Sequence, residues 1–189
     1  MWRRADIHKA IAQDPYLLRP LNYPAGTPGT GVTTFAMPDG IAIRVINLMG
    51  RLFLEPVDCP FERIDRLLAA EPEPAVTIVD FHAEATSEKL AMGWFLDGRV
   101  SAVLGTHTHV QTADERLLEQ GTAYITDIGM TGPRRSILGR KVERVIEKFR
   151  TQLYVPLDVA SGEAEMCGAI IEVDPDTGRA AAIRRVCES

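Results

Sequence analysis

The chain has 189 residues, 46% hydrophobic and 25% charged, a balance that suits a globular protein with a real core and not a disordered or fibrous one. A net charge of -5 and a pI near 5.4 argue against a large nucleic-acid-binding face, though not against a small nucleotide held at a metal site. No apolar run reaches the length of a membrane span, the first residues lead into a polar helix pattern instead of a signal peptide, and Cys59, Cys167 and Cys187 form neither a zinc ribbon nor a disulfide framework; a reduced, cytoplasmic setting without a membrane partner is expected.

Residues 2–12 carry Trp2, Ile7 and Ile11 near helical spacing and predict a helix that Pro15 stops. A Pro- and Gly-rich loop follows over residues 19–29 and is expected to be ordered. Apolar runs at 32–36 and 41–48, separated by Pro38-Asp39-Gly40, predict a β-hairpin. Phe61, Ile64, Leu67 and Leu68 mark one face of a short helix with Pro60 near its first turn.

From there the pattern alternates strand and helix, as in α/β proteins. Buried strands are predicted at 75–81, 100–104 and 122–126, and helices at 87–96 and 140–149. The tail has strand-like stretches at 154–159, 168–173 and 180–186, the last two joined by the turn Asp174-Pro175-Asp176-Thr177-Gly178. No repeat, low-complexity stretch or linker divides the chain, so one domain over residues 1–189 is expected.

Three histidines fall just beyond predicted strand ends: His82 after one, His107 and His109 after the next. Ligands of open α/β sheets collect at that rim. Side chains two apart on an extended segment face the same way, so the imidazoles of Thr106-His107-Thr108-His109 can face one ion or two neighbouring ions; two polar residues in a solvated loop would read the same. Asp80 and Asp127 could be ligands or strand-end caps, and Glu84 could orient an imidazole or cap the following helix. The turn from Gly129 to Pro133, with Thr131 and Gly132, offers backbone N–H groups to a phosphate or is a plain tight turn. Neither a nucleophile elbow nor a Walker loop is present, Cys59 has no evident His partner, and His8 sits on a charged helix pattern.

Several stretches are long enough to carry a resemblance. The segments from Asp80 to Lys89, from Gly105 to Asp114 and from Tyr124 to Pro133, with Arg19 to Pro24 and Ile46 to Arg51, resemble signatures of the YmdB-like metallophosphoesterases. The resemblance implies the calcineurin-like fold, an α/β two-sheet sandwich flanked by helices. It implies hydrolysis of small phosphodiesters, notably 2′,3′-cyclic nucleotides and in some members 3′,5′-cyclic AMP, with two divalent ions of iron, manganese or zinc. By the same match His82 and His107 would serve one metal and His109 the other; Glu84, Thr106 and Asp127 are candidates, from their positions in the sequence, for orienting those ligands. The family's Gly-Asp, Glu-Asn and Asn-His motifs, which supply a bridging carboxylate, further ligands and the proton-donating histidine, have no counterpart in these residues. The chain is therefore expected to be the carboxy-terminal part of the fold without its first βαβ portion, catalytically weak alone, with its catalytic acid unassigned. Alternatives are a degenerate metal- or nucleotide-binding protein, or a homo-oligomer in which a neighbouring chain completes the site.

Overall fold

The computed structural model describes residues 5–71 and 76–189. The expected roles of Trp2 and Ala75 lie outside them. Helix α1 spans Ala5–Gln13, and its Ile11 is buried against Gly29 of the following loop. That loop is ordered, as expected, and the Leu21 amide donates to the Asn47 carbonyl while the Asn47 amide donates to Gly31 just beyond the loop. The buried Asn22 is its anchor: its amide donates to the carbonyls of Met49 and Asp58, and its oxygen accepts from Met49 N–H.

Strands β1 (Val32–Ala36) and β2 (Ala42–Met49) form the expected antiparallel hairpin. Helix α2 (Pro60–Ala70) starts with proline at its first turn, where a missing N–H costs nothing. Strand β3 (Val76–His82), helix α3 (Thr86–Phe95), strand β4 (Ala102–Thr106) and strand β6 (Ala123–Ile125) follow the predicted alternation, with the two-residue β5 (Arg116–Leu117) between β4 and β6. Together they make a six-stranded sheet, order β1-β2-β3-β4-β6-β5, whose inner pairs are parallel.

A second sheet is built from β7 (Thr131–Pro133), β8 (Ala164–Val173) and β9 (Ala180–Glu188), all antiparallel. Helix α4 (Val142–Thr151) lies between β7 and β8 in sequence. Alternation along β3 and β4 sends side chains to both faces of the large sheet. Val79, Phe81 and Val103 pack with Ile64, Met92 and Leu96 of the helical layer. Ile78, Ala102 and Leu104 pack with Ala180, Ile171 and Ile183 of the second sheet. The fold is thus two sheets with helices on the outer face of the larger one.

Two expectations need correction. Residues 154–159 form no strand: Tyr154 and Val159 are exposed, and Val159 makes only an isolated bridge to Arg140. Residues 131–133 are strand, not turn. The amide of Arg134 donates to Glu163, and that of Cys167 to Met130, so by antiparallel alternation Gly132 lies in a hydrogen-bonded pair with Glu165. Its N–H is spent on the ladder and is not free for a phosphate; Thr131, between such pairs, keeps its N–H turned away from β8. Among the described residues no helix is long and apolar enough to cross a membrane.

Candidate metal centre

Parallel register brings the ends of β2, β3 and β4 level: Asn47 opposite Asp80, and His82 opposite Thr106. Ile78 faces the second sheet, so alternation turns Asp80 and His82 the same way. Asn47 donates to Asp80 Oδ2 at 2.6 Å, and the Thr106 hydroxyl donates to Asp80 Oδ1 at 3.0 Å. Burial pushes the Asp80 carboxyl above its ordinary value, against these two hydrogen bonds, which favour its charged form.

The hydroxyl of Thr106 gives its proton to Asp80, so its oxygen is left to accept. His82 Nδ1 lies 3.2 Å from it and is therefore the protonated nitrogen of that ring. His107 is fixed from the opposite side: its Nε2 donates to Glu84 Oε2 at 2.7 Å. The two outer bonds leave His82 Nε2 and His107 Nδ1 as the free lone pairs, and these nitrogens face each other at 2.9 Å. The rings stand nearly perpendicular, with centroids 4.7 Å apart. Burial, reinforced by His107, holds the His82 imidazole below its ordinary value. Two neutral nitrogens aimed at one point repel unless a cation sits between their lone pairs or they share a proton.

The loop after β4 is held in costly backbone. His107 has φ +117° and His109 φ +64°, both in the region that favours glycine. Asp127 compensates. Its Oδ2 accepts from the Thr108 amide and hydroxyl at 2.9 and 2.7 Å, and its Oδ1 accepts from Gly129 N–H at 3.0 Å. The same carboxylate meets Lys89 Nζ of α3 at 2.9 Å, and both side chains are shut off from solvent. Burial alone would raise the Asp127 carboxyl, but the bonds from Thr108, Lys89 and Gly129 outweigh it and hold it low. Asp127 is committed to the loop, and its charge is matched by Lys89.

Of the sequence candidates, His82, His107, Thr106 and Glu84 come together around one point, and Asp127 supports them from behind the loop. Glu84 does not cap α3: Ala85 holds the N-cap position and no side chain caps it. His109 lines a cavity of about 320 Å³ with Gln111, Met130, Arg134 and Cys167, and stays near enough to His82 to act on its charge. Gly132 borders the same cavity from its strand. Asn47, Lys89 and Gln111 had no role in the sequence pattern. Gln111 donates its amide to the carbonyls of Ile128, Gly168 and Val186, tying the histidine loop to the second sheet. The alignment of β2 with β3 would have identified Asn47; nothing in the sequence marks Lys89 as a buried ion.

The donor chemistry fits a divalent ion in part. Two imidazole nitrogens on one ion, each at about 2.0–2.1 Å, sit roughly 2.9 Å apart at a right angle and roughly 3.3 Å apart at the tetrahedral angle, so the pair at 2.9 Å matches the former and needs a small opening for the latter. Among the described residues no carboxylate joins His82, His107 and His109 in a shared ligand set. The imidazoles suit borderline metals; the negative charge of a dinuclear site is not supplied by the residues gathered here.

The same fold and motifs recur elsewhere. A solved structure of a hypothetical protein from Thermus thermophilus superposes with a TM-score of 0.91 at 42% identity, over 98% of this chain and 72% of that one. The crystal structure of a novel phosphatase from Mycoplasma pneumoniae superposes with a TM-score of 0.89 at 34% identity, over 98% and 67%. The 2′,3′-cyclic-nucleotide 2′-phosphodiesterase of Bacillus subtilis (strain 168) is 51% identical over 186 residues, which cover 98% of this chain and 70% of that protein. The family described as YmdB-like protein matches residues 1–186. With its histidine loop, its two-sheet fold and these matches, the chain belongs to the YmdB-like family.

Proposed function

We propose that this chain is a metal-dependent phosphodiesterase whose substrates are cyclic nucleotides, 2′,3′-cyclic ones first and 3′,5′-cyclic AMP second. The observation that carries this reading is the pair of lone pairs at 2.9 Å, each fixed by an outer hydrogen bond: Thr106 on His82 and Glu84 on His107. The B. subtilis relative, whose name gives the substrate class, supports the choice of reaction. His82 and His107 would hold one ion and His109 a second, of iron, manganese or zinc. A divalent ion bound there supplies Lewis acidity toward a phosphoryl oxygen.

The chain's own side chains do the positioning. Thr106 and Asp80 keep the proton on His82 Nδ1, and Glu84 keeps it on His107 Nε2, so each ring presents one lone pair. Asp127 holds the loop that carries His107 and His109. The cavity beside His109 offers the Arg134 guanidinium as a donor to a small phosphodiester. Both sheets work as one domain in this scheme, since Ile78 and Leu104 of the large sheet pack against Ile171 and Ile183 of the second, and the cavity lies between the histidine loop and that second sheet.

Among the described residues no carboxylate shares a ligand set with the two facing lone pairs, since Glu84 is spent on the far side of His107, and this bears on turnover. These 189 residues alone are expected to bind manganese but to hydrolyse bis-p-nitrophenyl phosphate only weakly. Calorimetric titration with manganese and a colorimetric assay test the two parts separately. Loss of binding in His82→Ala and His107→Ala is expected; binding unchanged in both variants overturns the metal assignment. Robust manganese-stimulated turnover by the purified chain overturns the claim of weak activity. The same missing carboxylate favours a second reading, a binding protein without catalysis, which predicts no turnover even when a second copy or a longer relative's segment is added.

A further inference from the structure

The second sheet carries a cluster that the phosphodiesterase site does not use. Cys167 on β8 and Cys187 on β9 stand directly opposite each other, with their sulfurs 3.6 Å apart. Glu165, two residues before Cys167 and so on the same face, places Oε1 3.8 Å from the Cys167 sulfur. One ligand atom from each of the three falls within 4.8 Å of the others, and among the described residues this is the only such group of histidine, cysteine and acidic side chains.

The pairing explains the closeness. The Cys167 amide donates to the carbonyl of Met130, just before β7, so toward β9 the residue sits in a non-hydrogen-bonded pair, the type whose side chains stand nearer. We propose that Glu165, Cys167 and Cys187 form a three-ligand site for a thiophilic divalent ion of the zinc class, separate from the histidine centre.

Three features carry it. A tetrahedral ion with sulfur at about 2.3 Å and oxygen at about 2.0–2.2 Å holds two sulfurs roughly 3.8 Å apart and a sulfur and an oxygen roughly 3.5 Å apart. The observed 3.6 and 3.8 Å need only small adjustment. Two thiolates and a carboxylate match the ligand preference of zinc over harder ions. The site is reachable, because Cys187 is exposed and the other two are half-buried. All three also line the cavity of about 320 Å³ that His109 borders, so the fourth coordination position opens onto that space. The competing partner for Glu165 is weak: Arg134 approaches only to 4.0 Å and its side chain is 65% exposed.

Binding releases the thiol protons to solvent, Cys–SH + Cys–SH + Zn²⁺ giving the dithiolate complex and two H⁺, with no change of oxidation state. Affinity should therefore rise with pH.

The test uses the reduced full chain and Co²⁺ or Zn²⁺ alone. Cobalt should give a near-ultraviolet thiolate-to-metal charge-transfer band that saturates at one ion per chain. The band should vanish in Cys167→Ser and in Cys187→Ser, need about tenfold more cobalt in Glu165→Gln, and persist in Cys59→Ser and in His82→Ala. A readout that needs no variant is alkylation: zinc should protect Cys167 and Cys187, but not Cys59, from iodoacetamide, read by peptide mass spectrometry. No thiolate band, a band that survives in the Cys167→Ser/Cys187→Ser chain, or zinc that leaves both thiols as reactive as before would each overturn the proposal. So would a reduced sample in which the two cysteines are recovered only as a disulfide that excludes the metal.

Discussion

His107 has both ring nitrogens committed, one to the Glu84 carboxylate and one toward His82. A carboxylate behind a ligand imidazole fixes its tautomer and raises its basicity, and removal of such a partner typically costs about 10–100-fold in metal affinity. Glu84→Gln keeps the size but loses the charge and lets the amide present N–H or C=O to the ring. Manganese binding by calorimetry should weaken by about that 10–100-fold factor, with the melting temperature little changed because Glu84 is half-exposed. An unchanged dissociation constant would mean that the Glu84 contact does not tune the ring. From sequence alone Glu84 is balanced between orienting a ring and capping a helix. The decision comes from Ala85, which takes the N-cap position itself, a matter of backbone path that composition does not encode.

Gly105 sets how closely β4 and the chain after β6 can approach. A Cβ there would lie 1.8 Å from the Thr126 carbonyl oxygen and 2.6 Å from its carbon, and the Ile128 amide bonds back to the Gly105 carbonyl at 2.9 Å. The obstruction is backbone, so it cannot rotate away. Gly105→Ala should destabilise by about 3 kcal/mol or more, and should loosen the histidine loop that begins two residues later. Gly168→Ala is the control: its Cβ would meet only the Val186 side chain at 3.5 Å, and it should stay within about 0.5 kcal/mol. Thermal melts of both variants check this, and equal stabilities would remove the packing argument. Elements with their own apolar rhythm were legible: the β1–β2 hairpin, α2, β3, α3, β4, α4 and the β8–β9 hairpin. Strands β5 and β7 were not, because Arg116-Leu117 and Thr131-Gly132-Pro133 carry no alternation and exist only through their partners. Residues 154–159 erred the other way, with apolar residues but no neighbouring strand to complete a ladder. The cysteine pair was not readable even with the hairpin in hand: the register at the turn, Val173 opposite Ala180, would put Cys167 opposite Val186, and an irregularity at Glu172–Val173 shifts it by one to Cys187.

The whole molecule's response to acid turns on carboxylates at the junction between the helical layer, the large sheet and the histidine loop. Asp127 and Asp114 are both buried enough to favour the neutral acid, yet hydrogen bonds outweigh that: Thr108 and Lys89 for Asp127, Thr112 and Thr126 for Asp114. Their folded values lie below the ordinary carboxylate value. The stability they contribute is fully present above about pH 3.9, the unfolded aspartate value, and is lost as pH falls through the folded values. Asp80 acts in the opposite sense. Burial raises its folded value, so its charged form costs stability as pH climbs above about 3.9, and acid relieves that cost. His82, whose folded value is depressed by burial, takes stability away earlier, as the unfolded imidazole protonates below about pH 6.5. The melting temperature should therefore decline gently below about pH 6.5 and more steeply below about pH 4, where the two depressed aspartates outnumber the raised one. Lys89→Met isolates the Asp127 share. It strands a carboxylate that is fully closed to solvent, which costs about 3–5 kcal/mol at neutral pH. Without the ammonium the Asp127 carboxyl should titrate higher, so acid recovers part of that loss and the pH profile of the variant should be flatter below about pH 5 than that of the parent. Circular-dichroism melts of both proteins from about pH 3 to pH 8 measure the two slopes. Parallel profiles would show that the Lys89–Asp127 pair, although buried, does not set the acid limit of the fold.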